Sequence, residues 1–175
     1  MQHLRPSDSL IPPVEEASAV SRHSQRTRRG AMVVLTLFVL AGLCNLLGVR
    51  LTTSYAEAGG LEVEVLHASI GRAGLTAPLE VSVHRPGGID GPVEVSVTSD
   101  YLDRLDQYSL DPQPDRTRAG ARTTTWSWDH VDGDTHVLTI DARIEPGVHW
   151  RFDGVVEVAA GGDEARVEVV TWVAP

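Results

Sequence analysis

Leu79-Glu80-Val81-Ser82-Val83 and Val93-Glu94-Val95-Ser96-Val97 each alternate apolar and polar side chains without a break. A period of two is the repeat of a strand with one face buried and the other in water. The same alternation continues on both sides. Upstream, Leu61, Val63 and Val65 alternate with Glu62 and Glu64. Downstream, Trp126 and Trp128 flank Ser127, and Leu138, Ile140 and Ala142 alternate with Thr139 and Asp141. Segments 150–158 and 165–173 complete the set. Turn chemistry separates the runs: Pro86-Gly87-Gly88, Asp90-Gly91-Pro92, Asp132-Gly133-Asp134, Pro146-Gly147 and Gly161-Gly162-Asp163. Seven strands are predicted, starting at residues 61, 79, 93, 123, 136, 150 and 165.

One apolar face per strand requires two sheets packed on each other, or a closed barrel. Seven short strands in residues 61–175 predict an all-β domain, an immunoglobulin-like antiparallel β-sandwich. Residues 100–122 interrupt the pattern. Tyr101 to Leu105 reads as a helical turn, and Asp111-Pro112-Gln113-Pro114-Asp115 as extended chain. Such a segment is a crossover between the sheets or a functional surface, and crossovers are routine in sandwiches. As a surface it would offer Tyr101, Leu105, Tyr108, Pro112 and Pro114 to a partner.

Charge divides the chain into unlike pieces. Its 15 cations are all Arg, against 24 acids, for a net charge of −9. Residues 1–30 carry five Arg and three acids, with Pro6, Pro12 and Pro13, and read as a disordered cytoplasmic tail. Residues 31–49, AMVVLTLFVLAGLCNLLGV, carry no charge. Residues 50–175 hold ten Arg and 21 acids. This acidic balance argues against a nucleic-acid-binding protein. A single Cys excludes a disulfide framework.

Nineteen helical residues span roughly 28 Å, close to the hydrocarbon thickness of a bilayer. Arg22, Arg26, Arg28 and Arg29 lie on the N-terminal side of this run and only Arg50 just after it. A cationic flank stays in the cytoplasm. The prediction is therefore a single-pass protein in the cell membrane, with residues 50–60 as a linker and 61–175 as an extracellular domain. The rival is a cleaved signal. Ala56-Glu57-Ala58 has the form a signal peptidase accepts, with cleavage after Ala58, and Arg28-Arg29 could belong to a twin-Arg signal. The long leader and long apolar run favour an anchor. Leu43 fills a position that a lipoprotein signal needs small, which argues against lipid on Cys44. Within the span, Asn45 is the one strongly polar side chain, with small Ala41, Cys44 and Gly48 near it. These residues mark a helix–helix contact with a partner or a second copy, or Asn45 lies at the outer headgroups.

Together, Pro112-Gln113-Pro114, Trp126-Ser127-Trp128, Leu138-Thr139-Ile140 through Pro146, and Gly154-Val155-Val156 resemble the immunoglobulin-like repeats of bacterial and archaeal envelope proteins. The resemblance covers residues 75–172 and implies fold and envelope location. The Arg-only, Ala/Val/Gly-rich composition is similar to that of single-pass membrane proteins of high-GC actinobacteria.

Chemistry is sparse. No Gly-x-Ser-x-Gly, phosphate loop, dinucleotide fingerprint or His-Glu-x-x-His occurs. Asp129, Asp132 and Asp134 are the best Ca²⁺ candidates, but their spacing departs from an EF-hand and Asp-Gly suits a hairpin turn. His130 and His136 lack an evident third zinc ligand. His67, His84 and His149 read as surface groups. Of the four Trp, at least two are expected in the core, with Trp126 and Trp128 on one face and Trp150 and Phe152 on another. No cofactor is implied. The expected function is a non-catalytic interaction domain, an accessory or assembly partner of another membrane or envelope protein. A glycan- or peptide-binding module using exposed Trp is the alternative, with a hydrolase behind it.

Overall fold

The computed structural model describes residues 14–43, 48–147 and 150–174. The chain falls into two compact units, Met1–Leu47 and Gly48–Pro175.

In the first unit, helix α1 runs Val14–Leu43. It starts earlier than predicted, because residues 14–30, expected as disordered tail, are helical. Pro12-Pro13 and the following Glu15-Glu16-Ala17 supply a helix start: a fixed φ, acids near the positive end of the dipole, and good formers. From Met32 to Leu40 the large apolar side chains are about half exposed or more, on every side of the helix. Among the described residues, no helix is long and apolar enough to cross a membrane. The uncharged run continues into residues 44–47, so Cys44 and Asn45 lie outside the described residues. Ala41 is within α1.

Gly48 and Val49 are a correction to the predicted span. Gly48 sits in a bend of the second unit, and Val49 packs against that unit's core. Gly48 therefore lies outside the described helix. The predicted linker is also corrected: β1 occupies Arg50–Ala58 and pairs antiparallel with β2, Leu61–Arg72. No free tether separates residue 49 from the sheet.

After β2 come β3 (Leu79–His84), β4 (Val93–Thr98), a short helix α2 (Ser99–Leu102) and β5 (Leu105–Asp111). Then follow β6 (Arg116–Ala119), β7 (Thr123–Trp128), β8 (Thr135–Ile144), β9 (Trp150–Ala160) and β10 (Asp163–Ala174). Every strand predicted from the alternation is present. β1, β5 and β6 are additional. The hydrogen-bonded order is β5-β8-β3-β2-β10-β9-β4-β7-β6, with β1 on β2, in one curled ten-stranded sheet.

β2 controls the topology. Its residues 62–66 pair antiparallel with β3, and its residues 70–72 pair parallel with β10. The burial pattern changes phase between these stretches. Leu61, Val63, Val65 and His67 are buried, and then Ala68 is buried beside His67. Two consecutive buried residues rotate the strand, so that one chain serves β3 and then β10. Segment 99–119 is the crossover: β4 pairs β9 and β7, β5 leaves to pair β8, and β6 returns to pair β7.

The buried side chains of both halves form one core, with Trp126, Leu61, Leu79, Leu138, Ile140 and Ile144 among its largest members. The outward acids Glu62, Glu64, Glu94 and Glu168 are exposed and alternate with buried apolar neighbours, as read from the sequence.

The register defines two ends. The proximal end carries the start of β1, β5, β7 and β9 and the close of β2, β4, β8 and β10. The distal end carries the β1–β2 and β9–β10 turns at Gly59-Gly60 and Gly161-Gly162, whose positive φ angles require glycine.

Candidate functional site

The four tryptophans divide by environment. Trp126 and Trp128 are buried, as expected for core residues. Trp128 donates its indole N–H to the Gln113 carbonyl at 3.1 Å, tying the Pro112–Pro114 segment to β7. Trp150 and Trp172 are exposed, at 81% and 53%. Trp150 and Phe152 do not share a face as predicted, since Phe152 is buried. The cause is backbone: Trp150 has φ 73°, a left-handed conformation that costs a bulky residue free energy and breaks the alternation.

Trp172 belongs to a row across four strands. Arg50 of β1 faces Ile70 of β2, Ile70 faces Trp172 of β10, and Trp172 faces Arg151 of β9. The Arg151 guanidinium lies 5.5 Å from the Trp172 ring centroid, within cation–π range. Trp150 is opposite Val173, one register step away. Leu51 and Leu75 are also about half exposed at this end. Of the six exposed large apolar residues described in the sheet domain, only Tyr55 and Val137 lie elsewhere.

The predicted partner surface on 101–122 is partly overturned. Tyr101 and Leu105 are 3% and 7% exposed. Tyr101 stacks on Phe152 with ring centroids 5.0 Å apart, and its hydroxyl meets the Thr171 hydroxyl at 3.2 Å. The turn of α2 is amphipathic, so its aromatic face closes the core instead of meeting a partner. Pro112 is exposed and Pro114 half-buried. The Tyr108 side chain lies outside what is described. Among the described residues β6 pairs only with β7, and all four of its residues are exposed.

The carboxylates of the Ca²⁺ candidate have separate partners. Asp129 accepts from Arg116 at 2.6 Å, Asp132 meets His130 at 3.1 Å, and Asp134 accepts from the Thr135 hydroxyl at 3.1 Å. Among the described residues, no group of three or more His, Cys, Asp or Glu is arranged to hold a metal ion. His130 is exposed, whereas His136 is buried with its ring 4.6 Å from that of Trp128. His136 Nε2 is buried without a hydrogen-bond partner among the described residues, and burial lowers its pKa below the ordinary 6.5. His67, read as a surface group, is buried at the turning point of β2. Burial lowers its pKa, opposed by hydrogen bonds to the Val65 and Val170 backbone. His84 is half-buried, with Nδ1 3.0 Å from the Thr135 hydroxyl, and His149 lies outside the described residues.

Two features had no signal in the sequence. At the distal end, Arg85 and Asp163 form an ion pair between the two glycine turns. A Cβ on Gly59 would fall on the Asp163 carboxyl, and one on Gly161 on the Arg85 guanidinium. At the proximal end, an open cavity of about 530 Å³ is lined by Ser99, Asp103, Asp106 and Glu145, among others. These three acids are exposed, and Ser99 donates to the Gly120 carbonyl at 3.4 Å. Arg85 and Asp163 are 78 positions apart, and Glu145 joins the Ser99–Asp106 segment from a distant strand end, separations at which periodicity carries no information.

No protein-family model matches the chain, and no curated protein is similar to it.

Proposed function

We propose that the chain is a single-pass membrane-anchored protein whose all-β domain is an immunoglobulin-like sandwich. In this reading the domain stands outside the cell and docks another membrane or envelope protein without catalysing a reaction. The observation that carries the anchor is α1, where the side chains of Met32 to Leu40 are bare on every side. A helix apolar all round needs apolar surroundings. Residues 31–47 are seventeen consecutive uncharged positions, which as helix would measure roughly 25 Å, the short limit of a span. The arginines before it orient the tail inward and the acidic domain outward. Cleavage after Ala58 would remove β1, whose Ala56 and Ala58 pack on the core, so the folded domain favours retention.

The sandwich reading is supported by β2, which passes from antiparallel pairing with β3 to parallel pairing with β10 over a shared core. A strand common to two packed layers closes one side of such a sandwich. With Tyr101 and Leu105 buried, the partner surface moves to Pro112, Pro114 and the free edge of β6. An unpaired edge is a template for an added strand.

The experiment is co-purification of tagged full-length protein from membranes in mild detergent, beside Asn45→Leu and Arg118→Glu variants. A partner lost with Asn45→Leu is recognised through the span. A partner lost with Arg118→Glu is recognised at β6. Absence of any partner contradicts the accessory reading. A glycan- or peptide-binding module is the second reading, and the exposure of Trp150 and Trp172 is what favours it.

A further inference from the structure

We infer that the proximal end of the sheet domain is a lipid-facing surface, with Trp150 and Trp172 at the headgroup level of an anionic bilayer. This rests on the anchored reading above and fixes which end of the domain meets the membrane.

Three independent observations converge. The first is chain continuity. Val49 packs on the domain core and Arg50 opens β1, so the chain enters the sheet domain at this end. Adjacent Cα atoms are about 3.8 Å apart, so the covalent chain lets Leu47 stand no more than about 11 Å from Arg50, which opens the row Arg50–Ile70–Trp172–Arg151. The second is the clustering of exposed apolar groups. Trp150, Trp172, Leu51 and Leu75 gather at this end of an otherwise acid-covered domain. Trp is suited to the headgroup layer, where its ring meets acyl chains and its N–H meets water. Trp150 is held outward by a backbone conformation that its side chain disfavours, which the core has no need of.

The third is charge. Six of the domain's ten arginines fall at the proximal end: Arg50, Arg72, Arg104, Arg122, Arg143 and Arg151. Six acids share that end: Asp100, Asp103, Asp106, Asp141, Glu145 and Asp153. The other four arginines share the rest of the domain with fifteen acids. The domain is therefore polarised, with its acids concentrated away from the end where the chain enters it. An anionic lipid surface attracts basic groups within a Debye length and repels the acidic remainder, which favours this orientation. Neither apolar area nor charge alone would single out a lipid over a protein partner. Their coincidence at the end joined to the uncharged run does.

The test uses full-length protein reconstituted in vesicles of phosphatidylcholine and phosphatidylglycerol carrying a headgroup nitroxide quencher. Buried Trp126 and Trp128 serve as the internal reference, and a Trp150→Phe/Trp172→Phe variant as the comparison. The expected result is tryptophan quenching in the parent protein about twofold greater than in the double variant, reduced by Arg50→Gln/Arg151→Gln. Flotation after an alkaline wash reports the anchor separately. Protein that floats with equal quenching in parent and double variant overturns the lipid-facing surface and leaves the anchor intact. That outcome returns the Trp pair to a glycan or peptide ligand. Protein that does not float overturns the anchored reading, and this inference with it.

Discussion

Gly154 illustrates how one missing methyl group decides local packing. A Cβ there would lie 2.5 Å from the Tyr101 Cβ and 2.7 Å from the Thr98 hydroxyl. The glycine lets α2 lie flat on β9 and seat Tyr101 on Phe152. Gly154→Ala is expected to destabilise the domain by about 1–3 kcal/mol, read as a lowered urea midpoint with unchanged slope. His136 makes the second residue-scale prediction. Its folded pKa lies below 6.5, as does that of His67. As pH falls through 6.5 the unfolded chain takes up protons that the folded chain does not, so stability falls toward each lowered value. His136→Phe, in a pocket against Trp128, is expected to flatten this acid loss. An unchanged slope of urea midpoint against pH would rule His136 out as its source.

At the scale of elements, strands with both a core face and a water face were legible from the period of two. The strands that escaped notice lack that contrast. β1, RLTTSYAEA, meets the core through small Ala56 and Ala58, so its alternation is faint. In β5, Leu105 and Leu110 stand an odd number of residues apart and should face opposite ways. A register shift between Asp106 and Ser109 brings both toward the core. β6, RTRA, has no core face. Long-range pairs were equally silent. The clasp of Arg85 and Asp163 joins the first residue of β10 to the segment after β3, beside the β1–β2 turn. Arg85 Nε is already buried without a partner among the described residues, so loss of the carboxylate leaves a poorly solvated guanidinium. Asp163→Ala is expected to cost about 1–2 kcal/mol, discounted for the partial exposure of both groups. A loss that persists undiminished in high salt would contradict an electrostatic origin.

For the whole molecule, sequence pattern gave the all-β class and the uncharged run directly, because both are local. The polarised charge and the clustered tryptophans depend on register, which no linear reading supplies. Arg50, Trp150 and Trp172 are far apart in sequence and meet only because β1, β2, β10 and β9 align their ends. The central claim is that residues 31–47 anchor the chain with its sheet domain outside. The most direct measurement replaces Cys44 by Ala and introduces Asp132→Cys or Ser7→Cys in the full-length protein. Intact cells are then treated with a membrane-impermeant maleimide. Asp132→Cys is expected to be labelled in intact cells and Ser7→Cys only after permeabilisation, and both are expected to stay with the membranes after an alkaline wash. Recovery in the soluble fraction, or labelling of Ser7→Cys from outside, would contradict the claim.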